Sequence, residues 1–360
     1  MEDDPRAGLA RPLEQLAAER LEGRDESVGA EQRERAAQVD ALTPRSLLLT
    51  AVDVGDGTIR AAIRGTRAVL LDMDGVLVSR GQPIRGAGDA VARLREHRIP
   101  FRVITNTSLS SRATLAHRLD DAGIAVPAEW IVTALSATAG RLDATMPGAA
   151  VYLLGSAEAP AEFGGARVRL LSHSDIDAGT PADAVVIGDS EDQLTYENLN
   201  RAFRLVRGGA AFVAMHRNPW WLTAAGPTLD SGALVVGLEY ATGRRATVAG
   251  KPAPTIFRTA IGALAADVRV APAPAGAPTG RGLRRSEVAM VGDDLQTDLA
   301  PARRLGMRTI LVLTGKHGRD AMAGGRGRRV VPDAVAPSIS EVVEAIVATR
   351  TLPGAADAAE

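Results

Sequence analysis

Residues 70–78 read LLDMDGVLV, and in this stretch two aspartates, Asp72 and Asp74, follow directly on a run of apolar residues. A strand that is apolar at every position is buried on both faces, as in a parallel sheet covered by helices. Ligands of such a sheet bind beside the carboxyl ends of its strands. The stretch therefore predicts a central strand of a parallel sheet, with a ligand site where the strand ends at Asp72.

The same alternation of apolar runs and amphipathic helical patterns continues on both sides of a middle segment. It predicts an α/β fold whose core is a doubly wound parallel sheet, Rossmann-like, split between residues 67–147 and 247–348. Residues 148–246 carry apolar runs and a helical pattern of their own, so they are interpreted as an α/β cap domain inserted into the core. The further apolar runs are FRVIT (101–105), VAMVG (288–292) and TILVLTG (309–315) in the core, and AVYLLG (150–155), DAVVIG (183–188) and AAFVAM (210–215) in the middle segment.

Three other segments differ in composition from these domains. Residues 1–60 are predicted to be a largely flexible N-terminal extension, because Ala, Arg and Glu dominate much of it, although the two apolar runs within 47–63 favour a hairpin. Residues 268–285 are rich in Pro, Gly and Ala and are predicted to be a flexible loop. Residues 349–360 are predicted to be a disordered tail.

Composition excludes several classes of function. The chain has 42 basic and 43 acidic residues and a formal net charge of -1, so it has no overall field that would recruit nucleic acid or an anionic membrane. It has no cysteine, which excludes disulfides, thiolate zinc sites and cysteine nucleophiles. It lacks the pattern of a secretory signal and any apolar run of ~18 residues, which predicts a cytoplasmic protein without a membrane partner.

The paired aspartates point to a cation. Asp72 and Asp74 repel each other unless a positive charge or a retained proton relieves them. Asp293 follows the run VAMVG, so the sheet is expected to bring it beside them. A few carboxylates with room for water suit Mg²⁺, which keeps several of its waters and binds phosphate oxygens. The sequence therefore predicts magnesium as the cofactor and a small phosphorylated molecule as the substrate.

The residues around this pair have expected roles in phosphoryl transfer, which depends mainly on positioning and charge neutralisation. Asp72, at the rigid end of the strand, is the predicted nucleophile that forms an aspartyl-phosphate. Asp74, on the following turn, is predicted to protonate the leaving oxygen and later to deprotonate a water molecule. Gly75 permits the sharp turn of the backbone.

Five more residues are predicted to support the reaction. Thr105 and Asn106 are expected to donate hydrogen bonds to phosphoryl oxygens, and Lys251, expected at a helix N-terminus, to supply positive charge. Asp298 is expected to orient Lys251 or a metal-bound water, and Asp294 to have a similar supporting role. Thr105 and Asn106 are also compatible with capping the helix that follows them.

Together these motifs resemble the haloacid dehalogenase superfamily. They occur in the family's order: a DxDG motif (72–75), a threonine motif (Thr105), a lysine motif (Lys251) and a GDxxxTD motif (292–298). The middle segment resembles the large α/β cap of subfamily IIA, which includes nucleotide and p-nitrophenyl phosphatases. The strings ITNTS, LEYATG and GDD are most similar to the phospholysine phosphohistidine inorganic pyrophosphate phosphatases and the haloacid dehalogenase-like hydrolase domain-containing proteins.

The resemblance implies a magnesium-dependent phosphatase of small phosphorylated metabolites, and it leaves hydrolysis of P–N bonds or pyrophosphate open. It implies that magnesium is held by the side chains of Asp72 and Asp293 and by the backbone carbonyl of Asp74. It also implies a homodimer formed through the cap. Thr107 stands where related nucleotide phosphatases usually have a second Asn, which disfavours a nucleotide substrate. The residues implied to contact the phosphate are Thr105, Asn106 and Lys251.

Two other functions stay open. The string VVIGDS (185–190) matches the GDS block of a serine-esterase family, which would make Ser190 a nucleophile, but the chain has neither the late Asp-x-x-His nor a GxSxG elbow. The second alternative is a catalytically weak phosphate-binding regulator of the same fold. His216, Trp220 and Trp221 are interpreted either as a specificity wall in the cap or, for the tryptophans, as core packing.

Overall fold

The structure is a computed structural model, and the residues it describes are 56–223, 226–270, 282–315 and 330–351. The predictions for residues 1–55, for most of the predicted loop at 268–285 and for the end of the predicted tail fall outside these residues and stay predictions.

Short elements of both kinds alternate along the described chain. The strands are β1 (Ala68–Asp72), β2 (Val78–Ser79), β3 (Gln82–Pro83), β4 (Phe101–Thr105), β5 (Ile131–Thr133), β6 (Ala150–Leu154), β7 (Arg169–Leu171), β8 (Ala184–Ile187), β9 (Ala211–Ala214), β10 (Trp220–Thr223), β11 (Gly226–Leu229), β12 (Thr247–Val248), β13 (Val288–Gly292), β14 (Arg308–Val312) and β15 (Ala334–Ala336). The α-helices are α1 (Asp56–Ile63), α2 (Ala87–Glu96), α3 (Arg112–Asp121), α4 (Ala134–Thr145), α5 (Ala159–Phe163), α6 (His173–Asp177), α7 (Tyr196–Arg207), α8 (Ser231–Thr242), α9 (Pro254–Val270), α10 (Ala300–Arg304) and α11 (Ile339–Thr351).

The first sheet has six parallel strands in the order β15-β14-β13-β1-β4-β5. Its central strand is β1, and all five residues of that strand are buried. Val69 and Leu71 pack on one face of the sheet with α1, α2, α3 and α11. Ala68 and Leu70 pack on the other face with α9 and α10. Helices therefore cover both faces, and the fold is the doubly wound α/β arrangement that the apolar runs predict.

The second sheet is built from the middle of the chain. Five parallel strands lie in the order β12-β9-β8-β6-β7, and the antiparallel hairpin β10-β11 accompanies them. This sheet also has an apolar core on each face. One contains Val151 and Val186 with Phe163, and the other contains Tyr152 and Val185 with residues of α7 and α8. We refer to this second layered unit as the cap.

Two expectations for the ends of the core are wrong for the described residues. The hairpin expected within 47–63 is not formed by residues 56–63, which are the helix α1. Ile59 and Ile63 are one helical turn apart, and both side chains are buried against the first sheet, so the last residues of the predicted extension are part of the core. At the other end, the prediction of a disordered tail from residue 349 is wrong for residues 349–351, because α11 continues to Thr351.

None of the described helices combines the length and the apolar character needed to cross a membrane.

Candidate active site

The predicted site residues come from three neighbouring strand ends of the first sheet. Asp72 is the last residue of β1, Thr105 is the last residue of β4, and Asp293 follows β13 directly. Because β1 pairs with both β4 and β13 in parallel, the three carboxyl ends share one edge of the sheet. Asp72, Thr105 and Asp293 are all buried at this edge.

Lys251 joins two of the carboxylates. Its Nζ lies 2.5 Å from Asp72 Oδ1 and 2.8 Å from Asp298 Oδ1. Asp72 Oδ1 also accepts a hydrogen bond of 2.8 Å from the backbone N–H of Met73. The lysine side chain is 5% exposed and that of Asp298 is 0% exposed, so these charges interact where little water screens them.

Burial changes the protonation of these groups. It raises the pKa of Asp72 to about 7, against the opposing charge of Lys251. Burial also raises the pKa of Asp298 to about 7, and the charge of Asp72 adds to that rise. For Lys251 burial would lower the pKa, but Asp298 and Asp72 raise it, so the lysine stays charged. Burial therefore disfavours the charged form of both carboxyl groups, and a further positive charge beside them would favour it.

A divalent cation fits this set of donors. One carboxylate oxygen from each of Asp72, Asp293 and Asp298 lies within 4.8 Å of the others, and all three residues are buried. Oxygen donors of this kind suit a hard cation such as Mg²⁺. The backbone comes close to Asp293 on two sides. A Cβ atom added to Gly75 would lie 2.5 Å from Asp293 Cγ, and one added to Gly315 would clash with Asp293 Oδ2.

The side chain of Asp74 lies in a different environment from that of Asp72. It is exposed and is not in the buried trio, where Asp298 takes the third place. The charge of Asp74 nevertheless raises the pKa of Asp72. The chain turns after it at Gly75, whose φ of 87° favours glycine. Thr314 Oγ1 donates a 2.6 Å hydrogen bond to the carbonyl of Gly75 and thereby holds this turn.

The side chains of Thr105 and Asn106 form hydrogen bonds within the protein. Thr105 Oγ1 accepts a hydrogen bond from the backbone N–H of Thr107 at 3.1 Å. The Asn106 carboxamide accepts from the backbone N–H of Lys251 at 2.7 Å and donates to the Lys251 carbonyl at 2.9 Å. The Asn106 side chain is therefore hydrogen-bonded to the main chain of Lys251 at both the N–H and the carbonyl. Neither residue caps the next helix, since the cap of α3 is Ser111.

Two further expectations concern helix ends. Lys251 does not lie at the helix N-terminus, because α9 begins at Pro254. Asp294 accepts hydrogen bonds from the backbone N–H groups of Gln296 and Thr297 and so caps the turn Leu295–Leu299. That turn contains Asp298. The Asp298 carboxylate contacts both Lys251 and the backbone N–H of Asp294, and so it connects Asp294 to the lysine.

The cap is attached to the core by carboxylates that the sequence pattern did not reveal. Glu158 Oε2 accepts from the backbone N–H of Ser111 at 2.8 Å, and Glu162 Oε1 accepts from that of Arg112 at 2.7 Å. Thr114 Oγ1 also donates to Glu158, at 2.6 Å. Both glutamates come from the cap, so the cap supplies negative charge to the N-terminus of the core helix α3, where the helix dipole favours it.

A second cluster lies in the cap and consists of the half-buried Asp189 with the buried His216 and Asp230. Asp189 Oδ2 lies 2.7 Å from His216 Nε2 and accepts a 2.7 Å hydrogen bond from the hydroxyl of the core residue Ser108. Ser231 Oγ donates to Asp189 Oδ1 at 2.5 Å. Burial, with Asp189 nearby, raises the pKa of Asp230 to about 7. This cluster therefore connects the two sheets through hydrogen bonds.

The residues of the suggested specificity wall differ in burial, and Ser190 of the serine-esterase alternative does not contact the cap histidine His216. His216 is 1% exposed, whereas Trp220 and Trp221 are 50% and 45% exposed, so the tryptophans are not core residues. Ser190 Oγ lies 3.2 Å from Asp192 Oδ1 and accepts from the backbone N–H of Gln193. Its neighbour Asp189, rather than Ser190, is the residue that contacts His216.

Comparison with known proteins gives a consistent family. Residues 69–168 match the family model described as haloacid dehalogenase-like hydrolase, and residues 248–342 match a second model of the same kind. The chain is 33% identical over 257 residues to human haloacid dehalogenase-like hydrolase domain-containing protein 2, covering 71% of this chain and 88% of that protein. It is 32% identical over 260 residues to human phospholysine phosphohistidine inorganic pyrophosphate phosphatase, covering 71% and 85%.

Solved structures agree with these matches. The 4-nitrophenylphosphatase of Thermotoga maritima superposes with a TM-score of 0.66 at 26% identity and covers 79% of this chain and 99% of its own. The p-nitrophenyl phosphatase of Archaeoglobus fulgidus gives a TM-score of 0.67 at 27% identity, with coverage of 78% and 99%.

Proposed function

The chain belongs to the haloacid dehalogenase-like hydrolases and is an enzyme of the phosphoric monoester hydrolase class, and from this premise we propose a magnesium-dependent phosphatase that acts through an aspartyl-phosphate. The observation that carries the proposal is the contact of Lys251 Nζ with both Asp72 and Asp298, beside Asp293, at the carboxyl edge of the first sheet. The proposed substrates are small phosphorylated metabolites.

Magnesium is the proposed cofactor because the donors are all oxygen atoms. Asp72 and Asp293 would hold it with their side chains and Asp74 with its backbone carbonyl, while Asp298 stays with Lys251. When bound, the ion supplies positive charge that relieves the repulsion among these carboxylates and neutralises phosphoryl oxygens.

In the first step the Asp72 carboxylate attacks phosphorus. The contacts of Asp72 Oδ1 with Lys251 and Met73 fix the orientation of the carboxylate before the substrate arrives. A bond forms between an Asp72 oxygen and phosphorus while the bond to the leaving oxygen breaks. Asp74 donates its proton to that leaving oxygen, and Lys251 stabilises the charge of the phosphoryl group.

In the second step water attacks the phosphorus of the aspartyl-phosphate. Asp74 accepts the proton of the water, the bond between phosphorus and Asp72 breaks, and inorganic phosphate leaves. The exposure of the Asp74 side chain supports this assignment, because a residue that alternates between acid and base must exchange protons with its surroundings. Thr105 and the backbone of Asn106 are proposed to contact the phosphoryl oxygens.

The cap is proposed to select the leaving group and to exclude bulk water from the site. The predicted division into a core (67–147 and 247–348) and a cap (148–246) is proposed with two changes: α1 also packs on the core sheet, and β12 (Thr247–Val248) pairs with the cap strand β9. A homodimer through the cap is also proposed, since Val236 and Tyr240 lie one turn apart on α8 and are 46% and 92% exposed. A cytoplasmic location is proposed with it.

The test is hydrolysis of p-nitrophenyl phosphate, followed by a panel of sugar phosphates, nucleotides, pyrophosphate and phospholysine. We expect turnover with magnesium, loss of turnover in EDTA, and a fall in kcat of at least ~10⁴-fold in Asp72→Asn, because the nucleophile is removed. Full turnover by Asp72→Asn, or in EDTA, would falsify the mechanism. Phosphate binding without turnover on any substrate would instead support the phosphate-binding regulator.

Ser190→Ala is the matched control for the serine-esterase alternative. Its hydroxyl contacts Asp192 and Gln193 within its own turn, so kcat is expected to stay within about twofold, since surface changes of this kind have small effects.

A further inference from the structure

A chain of hydrogen bonds leads from the main chain of Lys251 into the cap. Asn106 holds both the N–H and the carbonyl of Lys251, as described above. The same Asn106 Nδ2 donates to Asn218 Oδ1 at 3.2 Å. Asn218 lies between β9 and β10, so this contact joins a core residue to the cap. The orientation of the Asn106 carboxamide therefore depends on a cap side chain.

His216 holds Asn218 from the other side. The backbone N–H of Asn218 donates to His216 Nδ1 at 3.3 Å, which makes Nδ1 an acceptor. In a neutral imidazole the proton is then on Nε2, which lies 2.7 Å from Asp189 Oδ2. Both ring nitrogens are thus engaged, and the buried ring has one orientation.

The main chain beside Lys251 is also clamped between the two sheets. The backbone N–H of Gly250 donates to the carbonyl of Met215 in the cap at 2.7 Å. A Cβ atom added to Gly250 would lie 2.6 Å from that carbonyl oxygen and 2.7 Å from Asn106 Oδ1. Only a glycine lets the cap and Asn106 come this close to the lysine backbone.

We propose that Asn218 and His216 are positioning residues for Lys251. They hold Asn106 against the lysine main chain, and the fixed main chain keeps Nζ within reach of Asp72 and of a bound phosphate. The seated cap is then a condition for tight phosphate binding in the core. The inference rests on the proposed function and deepens it.

The two nitrogens of His216 give a test that separates this role from a structural one. His216→Asn keeps an acceptor near the place of Nδ1, which faces Asn218, whereas His216→Gln keeps a donor near the place of Nε2, which faces Asp189. The measurement is the inhibition constant of inorganic phosphate against p-nitrophenyl phosphate, with the thermal midpoint of each variant. We expect His216→Asn to stay within about threefold of the wild type and His216→Gln to weaken phosphate binding at least about tenfold, as for other residues that orient a ligand-binding group.

Asn218→Ala is the second variant, because its half-buried side chain can be removed with less risk to folding. It is expected to weaken phosphate binding at least about tenfold, and this effect should disappear in an Asn106→Ala background, since the chain of contacts passes through Asn106. His173 provides the matched control: its nitrogens contact Tyr152 and Gln193 inside the cap, so His173→Asn and His173→Gln should leave the inhibition constant unchanged.

Equal losses in His216→Asn and His216→Gln would overturn the inference, as would an unchanged inhibition constant in Asn218→Ala. Either result in an active wild-type enzyme leaves the proposed function intact. A wild-type protein that does not hydrolyse p-nitrophenyl phosphate or any phosphate ester in the panel would overturn both.

Discussion

Among the residues that the structure describes, two clusters of three acidic or histidine side chains lie close enough together to hold a metal ion, one in the core and one in the cap. The core cluster consists of Asp72, Asp293 and Asp298, and the cap cluster of Asp189, His216 and Asp230. Each brings three candidate metal ligands within 4.8 Å of one another. The two clusters differ in the partners that surround them.

In the cap cluster, neighbouring protein groups supply the hydrogen bonds that the carboxylate of Asp189 accepts. Asp189 accepts hydrogen bonds from Ser108 and Ser231 and contacts His216. Although burial opposes it, His216, Asp230 and Ser231 hold the pKa of Asp189 below its ordinary value. In the core cluster Lys251 is shared by two carboxylates, and the pKa values of Asp72 and Asp298 are both raised to about 7. Asp230 of the cap cluster also has a pKa raised to about 7, so the difference lies in the groups that neutralise the carboxylates: His216 and two hydroxyl groups in the cap, and the single Lys251 in the core.

After the loss of the nucleophile Asp72, the largest expected effect comes from removing the shared lysine. Lys251→Ala should lower kcat/KM for p-nitrophenyl phosphate by ~10²–10³-fold, the usual cost of losing one group that stabilises transition-state charge. Steady-state kinetics with saturating magnesium measures it. Arg303→Ala is a matched control, because its guanidinium pairs with Asp333, outside either cluster. A loss below about threefold in Lys251→Ala would mean that the core cluster does not act through its lysine.

The next effect concerns pH. Because the pKa of Asp72 is raised to about 7, metal binding must displace a proton at lower pH, and the magnesium affinity should fall by up to ~10-fold per pH unit below about 7. Isothermal titration with MgCl₂ between pH 5 and pH 8 measures this. A magnesium affinity that does not change over this range would contradict the assignment.

The stability of the metal-free protein should change in the opposite sense. The folded protein retains protons on Asp72 and Asp298 between their ordinary pKa of 3.8 and about 7, so it binds more protons than the unfolded chain. Stability in EDTA should therefore decrease as pH rises through this window. The pH slope of the thermal midpoint, compared between wild type and Asp298→Asn, reports this contribution, which should be smaller in the variant.

The smallest effect tests the attachment of the cap. Glu162→Ala removes the carboxylate that accepts from the backbone N–H of Arg112 at the start of α3. The free energy of unfolding should fall by ~1 kcal/mol, as for other losses of a helix cap. Urea denaturation measures the change, and Glu197→Ala is the control, since Glu197 is an exposed cap residue that pairs with Arg201. Equal losses in both variants would show that the cap does not depend on this contact.

Much of the fold can be predicted from the sequence because continuous apolar runs mark buried parallel strands and place Asp72, Thr105 and Asp293 at strand ends. Helix α1 is not evident from the sequence, because the two apolar runs within 47–63 favour a hairpin, although Ile59 and Ile63 have the spacing of a helix.

The details of the candidate site depend on contacts far apart in the chain. Asn106 holds the main chain of Lys251 145 residues away, and no local pattern distinguishes that use from binding phosphate. The same applies to Glu158 and Glu162. In the sequence they are indistinguishable from surface acids, and only the packing of the cap against α3 shows that they bond to its N-terminus.

The most direct test of the central claim is the intact mass of Asp74→Asn after mixing with p-nitrophenyl phosphate and magnesium. This substrate has a good leaving group, so Asp72 is expected to be phosphorylated without an acid, whereas the variant lacks the base that activates water. The account predicts a mass increase of one phosphoryl group, located on Asp72 by peptide mapping and absent from Asp72→Asn/Asp74→Asn. Rapid turnover with no phosphorylated protein, or a phosphoryl group on another residue, would contradict it.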